Sequence, residues 1–296
     1  MICIYNLVEA IDVTSGGSTA IPCIGNVEIP GLMFADDILL FSITPAGLSK
    51  QLQVLETYCK RWKLKINVNK TKILICKNGF RKSRHENWVI GGEIIETVNK
   101  LQYLGFLISG KGDSKEHIER AKMKGLRGLA STKILVQKLP EAALTLHRNV
   151  YNALCLTKML YGAEIWGTAK EISKLEPVEC KYIKTLMCLP TCVANCGVKQ
   201  LLQEVCVRAE AGKRVINYWS KLRSGKGGEM VQIIFKQQCA DETSKSWVNE
   251  VKCWLRELGL GYLLSNQALC GKKVVKRCVQ ILNFKILEVD VKKSEH

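Results

Sequence analysis

Two adjacent carboxylates, Asp36 and Asp37, are the residues of this sequence best suited to chemistry. They stand between two apolar runs, Gly31–Met33 and Ile38–Phe41, which predict two β-strands joined at a tight corner that faces a cleft. Because a buried, ionised carboxylate without a partner is costly, such a pair needs a cation, and Mg²⁺ prefers oxygen ligands. Asp-Asp is also common in ordinary turns, where short carboxylates bind local backbone groups. The apolar flanks favour the metal site over that alternative.

A basic segment follows the two aspartates. From Lys60 to Arg84 the sequence contains many lysines and arginines and no acidic residue. A run of this kind is either a solvated face or a contact for a phosphate-rich partner, and its place after the aspartates favours the partner. Lys70 and Lys72 are the candidate phosphate-binding residues, because each would meet a phosphate as a compact point charge. The sequence leaves open which of the two lysines acts.

The elements that would position these residues alternate between strand and helix. After Thr44-Pro45, apolar residues recur at helical spacing, and they are Leu52, Leu55, Tyr58 and Cys59. A buried strand is predicted at Ile73–Cys76. The order strand, turn, strand, helix, strand predicts an α+β fold in which the helix packs on the sheet that carries the aspartates.

Longer helices are predicted after Leu101–Ser109, which reads as extended and ends at a turn signal, Gly110–Asp113. Ser114 is a suitable N-cap for a helix that carries small residues and a basic stripe. That pattern suits contact with a nucleic-acid duplex and is equally typical of an ordinary surface helix. The candidate nucleic-acid-binding residues on this helix are Lys115, Lys122 and Arg127.

A second helix is predicted from about Pro140 to Tyr161, with His147 as a packed or surface residue and not a metal ligand. Its apolar face would consist of Leu144, Leu146, Val150, Leu154 and Leu160. In the C-terminal part, further helices are predicted, including Val248–Leu258, with a flexible break at Ser224–Gly228.

Four blocks occur in a fixed order: Phe34–Asp37, Leu64–Lys72, Leu101–Gly105 and Tyr161–Trp166. In this order they resemble the metal-binding box, the next palm motif, the primer-grip segment and the end of the thumb in reverse transcriptases of non-LTR, LINE-type retrotransposons. The resemblance implies a partial polymerase palm in residues 1–110, an antiparallel sheet with packed helices. It further implies a helical thumb in residues 111–167 and a mainly helical C-terminal extension in residues 168–296.

The resemblance also implies a chemistry, RNA-templated DNA synthesis from an RNA template, a DNA primer and deoxynucleotides. Two Mg²⁺ ions support nucleotidyl transfer of this kind. By resemblance, Asp36 and Asp37 are catalytic metal ligands, and a lysine at 70 or 72 assists the nucleotide or the departing pyrophosphate. The primer-grip-like residues are Tyr103, Leu104 and Gly105, although Tyr103 would serve equally as a core aromatic.

One part of the family's pattern is missing from this sequence. Reverse transcriptases have a further catalytic aspartate upstream, together with a template-binding Gln-Gly segment and the fingers. The acidic residues before Asp36 are Glu9, Asp12 and Glu28, and none lies in that pattern. We therefore expect the chain alone to be inactive. It is either the C-terminal half of a polymerase that is catalytic in its parent, or a degenerate remnant that acts as a nucleic-acid-binding module.

Composition agrees with a nucleic-acid partner. A formal net charge of +17 favours nucleic acid or an anionic surface. The sequence has neither an apolar run long enough for a membrane span nor a signal-peptide pattern, so we expect an intracellular protein, with nucleus or cytoplasm undecided. Among the 14 cysteines, Cys188, Cys192 and Cys196 are spaced by four, but no C-x2-C pair accompanies them, which makes the zinc signal weak.

Overall fold

The computed structural model describes residues 20–25, 27–76, 87–138, 144–195, 197–198, 206–243 and 245–265, and positions 276, 280, 281 and 284. The chain divides into two compact units. The first comprises Met1–Tyr103 and Ile108–Gly112, and the second comprises Leu104–Leu107 and Asp113–His296. Among the described residues, no helix is both long enough and apolar enough to cross a membrane.

The first unit is built mainly from short strands. The strands in the described part of the chain are β1 Cys23–Ile24, β2 Val27–Glu28, β3 Gly31–Phe34, β4 Asp37–Leu40, β5 Lys72–Leu74, β6 Val89–Ile90, β7 Glu93–Ile94, β8 Glu96–Val98, β9 Lys100–Tyr103 and β10 Phe106–Ser109. One long helix, α1 Pro45–Arg61, lies between β4 and β5. This mixture of helices and small sheets agrees with the predicted α+β class.

The strands form two-stranded sheets and not the single antiparallel sheet that the resemblance implies. In the described part of the chain the pairs are β1–β2, β3–β4, β5–β8, β6–β7 and β9–β10. β5 and β8 are parallel, with Lys72 opposite Glu96. A parallel pair needs a long crossover, and the segment between these two strands, which contains the β6–β7 hairpin, supplies it. The strand predicted at Ile73–Cys76 is observed at Lys72–Leu74, so it begins one residue earlier and ends two residues earlier than predicted.

Helix α1 is defined by signals at both of its ends. The Thr44 hydroxyl accepts a hydrogen bond from the Gly47 N–H at 3.1 Å, and Pro45 begins the first turn. At the other end Lys63 has φ +53°, and the Leu64 N–H donates to the Cys59 carbonyl at 2.8 Å, which is a Schellman motif.

The core of the first unit confirms the predicted face of α1. Its buried members are Leu52, Leu55, Tyr58, Cys59, Ile73, Trp88, Ile90 and Ile95. Leu40 of β4 packs partly against this core. The Gln51 side-chain amide of α1 also donates to the Phe41 carbonyl at 2.8 Å, so the hairpin that carries the two aspartates is tied to this core.

The second unit is helical. Within its described residues the helices are α2 Lys115–Lys138, α3 Leu144–Tyr151, α4 Thr157–Met159, α5 Ala163–Trp166, α6 Glu176–Leu186, α7 Val207–Arg223, α8 Glu229–Ala240, α9 Trp247–Glu257 and α10 Tyr262–Ser265. A π-helical segment, Asn152–Leu156, joins α3 to α4, and a 3₁₀ segment, Lys170–Leu175, precedes α6. The Ser114 carbonyl accepts from the Ile118 N–H at 3.0 Å, which places Ser114 at the predicted start of α2.

The second predicted helix is observed from Leu144 to Met159, and residues 140–143 of the prediction lie outside the described residues. Leu160 is fully buried, but Leu146 is 46% exposed, so its assignment to the apolar face is wrong. The π-helical segment changes the helical phase between Leu146 and Leu160, which a uniform helical period does not anticipate. The predicted helix Val248–Leu258 corresponds to α9, shifted by one residue.

Two small residues of α2, Gly125 and Gly128, lie at a close contact inside the unit. A methyl group at Gly125 would lie 2.2 Å from the Met159 sulfur, and one at Gly128 would lie 2.3 Å from the Leu154 carbonyl oxygen. Both glycines are buried. They allow α2 to lie very close to the helical segment 152–159, so these two glycines serve packing within the unit, and the nucleic-acid contact of α2 stays a prediction.

Two cores follow one another through this unit. The larger contains Ile118 of α2, Met159 of α4, Trp166 of α5 and Val178 of α6. It therefore includes residues on both sides of position 167, where the predicted thumb region ends. The smaller is formed by α7, α8 and α9, where Trp219 contacts Phe235 and Trp247 with ring centroids 5.5 and 6.0 Å apart.

Candidate active site

Asp36 and Asp37 lie at the tip of the β3–β4 hairpin. Phe34 pairs with Asp37, so Ala35 and Asp36 form a two-residue loop. Ala35 has φ +53°, the left-handed conformation that short hairpin loops require. An L-residue adopts it at a cost of about 1 kcal/mol, because its Cβ approaches the following carbonyl. The predicted strand-to-strand corner is confirmed.

The burial argument for a metal ion is wrong, because both carboxylates are exposed. The neighbouring Phe34 side chain is also 61% exposed. The backbone of Asp37 pairs with that of Phe34, but neither carboxylate has a hydrogen bond or an ion pair with any described residue. Two adjacent, unpaired and accessible carboxylates are the hard oxygen donors that Mg²⁺ prefers, so these residues fit such an ion without any need to compensate a buried charge.

A third acidic ligand does not come from the described part of the chain. There, no group of three or more His, Cys, Asp or Glu side chains is arranged to hold a metal ion. Of the three cysteines spaced by four, Cys188 and Cys192 are exposed free thiols and belong to no such group, whereas Cys196 lies outside the described residues.

The structure distinguishes the two candidate lysines. The Lys72 ammonium is paired with the Glu96 carboxylate across the parallel β5–β8 pair. Lys70 is exposed and makes no ion pair with a described residue. Its backbone N–H donates to the Asn67 side-chain oxygen at 3.2 Å, which fixes the turn before β5. Lys70 is thus the cation of the two that is available to a phosphate, a difference that the sequence did not show.

The primer-grip-like segment forms a hairpin turn between β9 and β10. Leu104 and Gly105 have φ +47° and +80°, as in a type I′ turn. The Tyr161 hydroxyl donates to the Leu104 carbonyl at 2.8 Å. A Cβ at Gly105 would lie 3.3 Å from the Tyr161 ring. Two of the four sequence blocks therefore meet at this turn, while Tyr103 is half-buried.

His117 supports the same turn, and sequence reasoning missed it. Its Nδ1 accepts the Leu107 N–H at 3.1 Å. Its ring stacks on Phe106 with centroids 4.2 Å apart and meets the edge of Trp166 at 5.6 Å. Burial lowers the pKa of His117, a hydrogen bond to the Tyr161 backbone opposes that change, and Lys124 and Arg120 lower it further. The sequence did contain a signal that His117 is buried: it stands next to Ile118 and one helical turn before Ala121, on the core face of α2.

The three predicted cations of α2 do not form one stripe. Lys115 and Lys122 are seven residues apart and lie on about the same side, whereas Arg127 lies roughly 120–140° further around the helix. Lys115 is also paired with Glu171 at 3.7 Å, and Lys122 is half-buried. Arg127 is exposed. Of the three, Arg127 is the most accessible to a partner.

Comparison with known proteins supports a reverse transcriptase relationship. Residues 2–108 match the model of the reverse transcriptase (RNA-dependent DNA polymerase) family. This segment contains Asp36 and Asp37, both candidate lysines and the Leu104–Gly105 turn. No solved structure matches the chain.

Two curated relatives agree with this family. The chain is 25% identical over 147 residues to a "putative uncharacterized transposon-derived protein" of Caenorhabditis elegans. It is 24% identical over 199 residues to the "probable RNA-directed DNA polymerase from transposon BS" of Drosophila melanogaster. These alignments cover 50% and 64% of this chain. They span 52% of the first relative and 22% of the second.

Proposed function

We propose that the segment up to about residue 110 is part of the palm of an RNA-directed DNA polymerase of the non-LTR, LINE type. In this proposal the region after it contains the thumb and a helical extension. The observation that carries the proposal is the hairpin tip, where Asp36 and Asp37 are adjacent, exposed and unpaired within the family-matched segment. A purely structural turn would be expected to use such carboxylates to cap the local backbone, and these do not.

The proposed roles follow from what each residue offers. Asp36 and Asp37 would hold Mg²⁺, which when bound neutralises phosphate charge and lowers the pKa of the primer hydroxyl. The α1 core fixes the hairpin through Leu40, so the two carboxylates are carried by a packed element. Lys70 provides a free ammonium for a nucleotide phosphate. Gly105 offers no side chain at its turn, which leaves room for the Tyr161 ring that packs against it.

The substrates in this proposal are an RNA template, a DNA primer and deoxynucleotides, used by the full-length parent. A further carboxylate, the rest of the palm and the fingers would have to come from outside the described residues for two metal ions to be held. We therefore keep the expectation that the chain alone does not extend a primer. An intracellular location, where these substrates occur, belongs to the same proposal.

A metal-binding titration tests the site without requiring catalysis. Mn²⁺, used as a paramagnetic stand-in for Mg²⁺, is titrated into the chain and free ion is measured by electron paramagnetic resonance. We expect the wild-type chain to bind Mn²⁺ and the double variant Asp36→Asn with Asp37→Asn not to bind it. Asp113→Asn is the matched control, because Asp113 is also an exposed loop aspartate. Equal binding by the double variant and the wild type would refute the proposed site.

A second function, a non-catalytic nucleic-acid-binding module, is favoured by the exposed cations around Lys70 and by the net charge of +17. Because the chain alone is expected not to extend a primer, Mn²⁺ binding combined with primer–template binding separates the two functions, and primer extension on an RNA template with Mg²⁺ tests that expectation. Incorporation that Asp36→Ala abolishes would exclude the non-catalytic module. Primer–template binding without Mn²⁺ binding at the two aspartates would favour it.

A further inference from the structure

The end of helix α1 presents a large aromatic side chain to solvent. Trp62 is 43% exposed, and Leu64 beside it is also 43% exposed. Burying such side chains is normally favourable by about 1.5–3 kcal/mol each. The apolar face of α1 is already packed in the core, so these two residues are not part of that face. An exposed indole in this position suggests a contact with a partner.

Trp62 is held rigidly. Its N–H donates to the Tyr58 carbonyl at 3.0 Å, and the Schellman motif fixes the two residues that follow. The ring of buried Tyr58 lies against it, with centroids 6.2 Å apart and an interplanar angle of 43°. The indole therefore has a supported inner side and an accessible outer side, which limits the conformational entropy that a stacking partner would remove.

Cations flank Trp62 along the chain. Arg61, Lys63 and Lys65 are exposed, and none of them pairs with an acidic group among the described residues. Lys60 is paired with Glu56 at 2.8 Å, but its side chain is 74% exposed. No acidic residue occurs between Arg61 and Cys76. The partner is therefore expected to be polyanionic.

We infer that Trp62 is a stacking platform for a base of single-stranded nucleic acid, with Arg61, Lys63 and Lys65 contacting the phosphates on either side. Single strands expose the flat faces of their bases, and aromatic side chains with flanking cations bind them with little sequence preference. A duplex offers the same phosphates but keeps its bases stacked inside. A membrane surface fits less well, because Lys63 separates the two exposed apolar residues and no wide apolar face adjoins them.

This inference shares a class of partner with the proposed function but does not require the metal site. The full chain is titrated with a fluorescein-labelled oligothymidylate over a series of salt concentrations, and anisotropy is measured. We expect Trp62→Ala to weaken binding by about 5- to 150-fold. The salt dependence should stay unchanged, because no cation has been removed.

Matched variants separate stacking from folding and from charge. Trp62→Leu keeps apolar bulk without a π-face and should bind as weakly as Trp62→Ala, whereas Trp62→Phe should retain most of the affinity. The double change Lys63→Gln with Lys65→Gln should lower the salt slope by about 1.4, since each phosphate contact to a single strand contributes about 0.7. Ile94→Ala is the control, because Ile94 is 65% exposed and stands near Glu93 and Glu96.

Several outcomes would overturn the inference. One is equal affinity of Trp62→Ala, Trp62→Leu and the wild type for the oligonucleotide. Another is equal loss of duplex and single-strand affinity in these variants. Binding to anionic vesicles that depends on Trp62, without a matching effect on the oligonucleotide, would assign the residue to a lipid surface. Loss of Mn²⁺ binding has no bearing on this test, so failure of the metal site and failure of the stacking site can be told apart.

Discussion

Gly128→Ala tests where the small residues of α2 lie. In an exposed helix this change would stabilise the protein by about 1 kcal/mol, because alanine has the higher helix propensity. Here the added methyl would lie 2.3 Å from the Leu154 carbonyl oxygen, 3.0 Å from its carbonyl carbon and 3.1 Å from the Cys155 Cα. All three are backbone atoms, so no side chain can rotate to make room.

The expected magnitude follows from these distances. Ordinary contact begins at 3.4 Å, so α2 and the segment 152–159 would have to move apart by roughly 1 Å. Such a movement would loosen the packing of the fully buried Cys155 and Met159. Overpacking of this kind costs about 1–3 kcal/mol. Because backbone is involved, we expect a net loss near 2 kcal/mol, or a fall in the unfolding temperature of about 4–8 °C.

Urea and thermal unfolding followed by circular dichroism measure this change. Gly261→Ala is the matched control, since the nearest atom to its methyl would be the Arg256 Cγ at an ordinary 3.5 Å. The control should stay within about 0.5 kcal/mol of the wild type. An unchanged or higher midpoint for Gly128→Ala would refute the packed position of Gly128 against the segment 152–159.

Three further predictions concern the supports of the fold. Burial lowers the pKa of His117 below 6.5, so the unfolded chain binds a proton at this residue more readily than the folded chain. The free energy of unfolding should therefore fall as the pH drops below 6.5. The difference between urea midpoints measured above and below that pH should be smaller in His117→Gln than in the wild type. Cys188 has φ +51° after α6, so Cys188→Gly should raise the thermal midpoint by the equivalent of about 1 kcal/mol, while Met187→Gly, at φ −94°, should lower it. The Ser246 hydroxyl accepts from the Asn249 N–H at 3.3 Å, so Ser246→Ala should cost about 1 kcal/mol in urea unfolding, and no loss would contradict its role as N-cap of α9.

Local patterns in the sequence predicted the elements near the candidate site. The apolar residues of α1 recur at helical spacing, and all four of the residues predicted for its core face are buried. The apolar runs around Asp36 and Asp37 form the two strands of a hairpin, with the second strand beginning one residue early because Asp37 pairs with Phe34. These features depend on neighbours within a few residues, so periodicity and turn chemistry are enough to find them.

The exposure of the two aspartates and the pairing of the two lysines could not be predicted from local patterns in the sequence. The sequence suggested that the aspartates needed a cation because they were buried, but the hairpin places both in solvent. Which face of a two-stranded hairpin is covered depends on what packs against it, and the period-2 pattern does not identify that partner. The sequence likewise treated Lys70 and Lys72 alike, although Lys72 is paired with a residue 24 positions away.

The sequence by itself therefore determined the α+β class, the hairpin with its two carboxylates, and the ordered blocks that resemble those of reverse transcriptases. Only the tertiary structure decided that Asp36, Asp37 and Lys70 have no side-chain partner among the described residues while Lys72 is paired with Glu96. It also decided that Tyr161 meets the Leu104 carbonyl from 57 residues away. The physical reason is the range of the interactions. Helical and strand periods arise from contacts within one or two turns, whereas ion pairs, buried imidazoles and close helix crossings join residues whose separation along the chain carries no periodic signal.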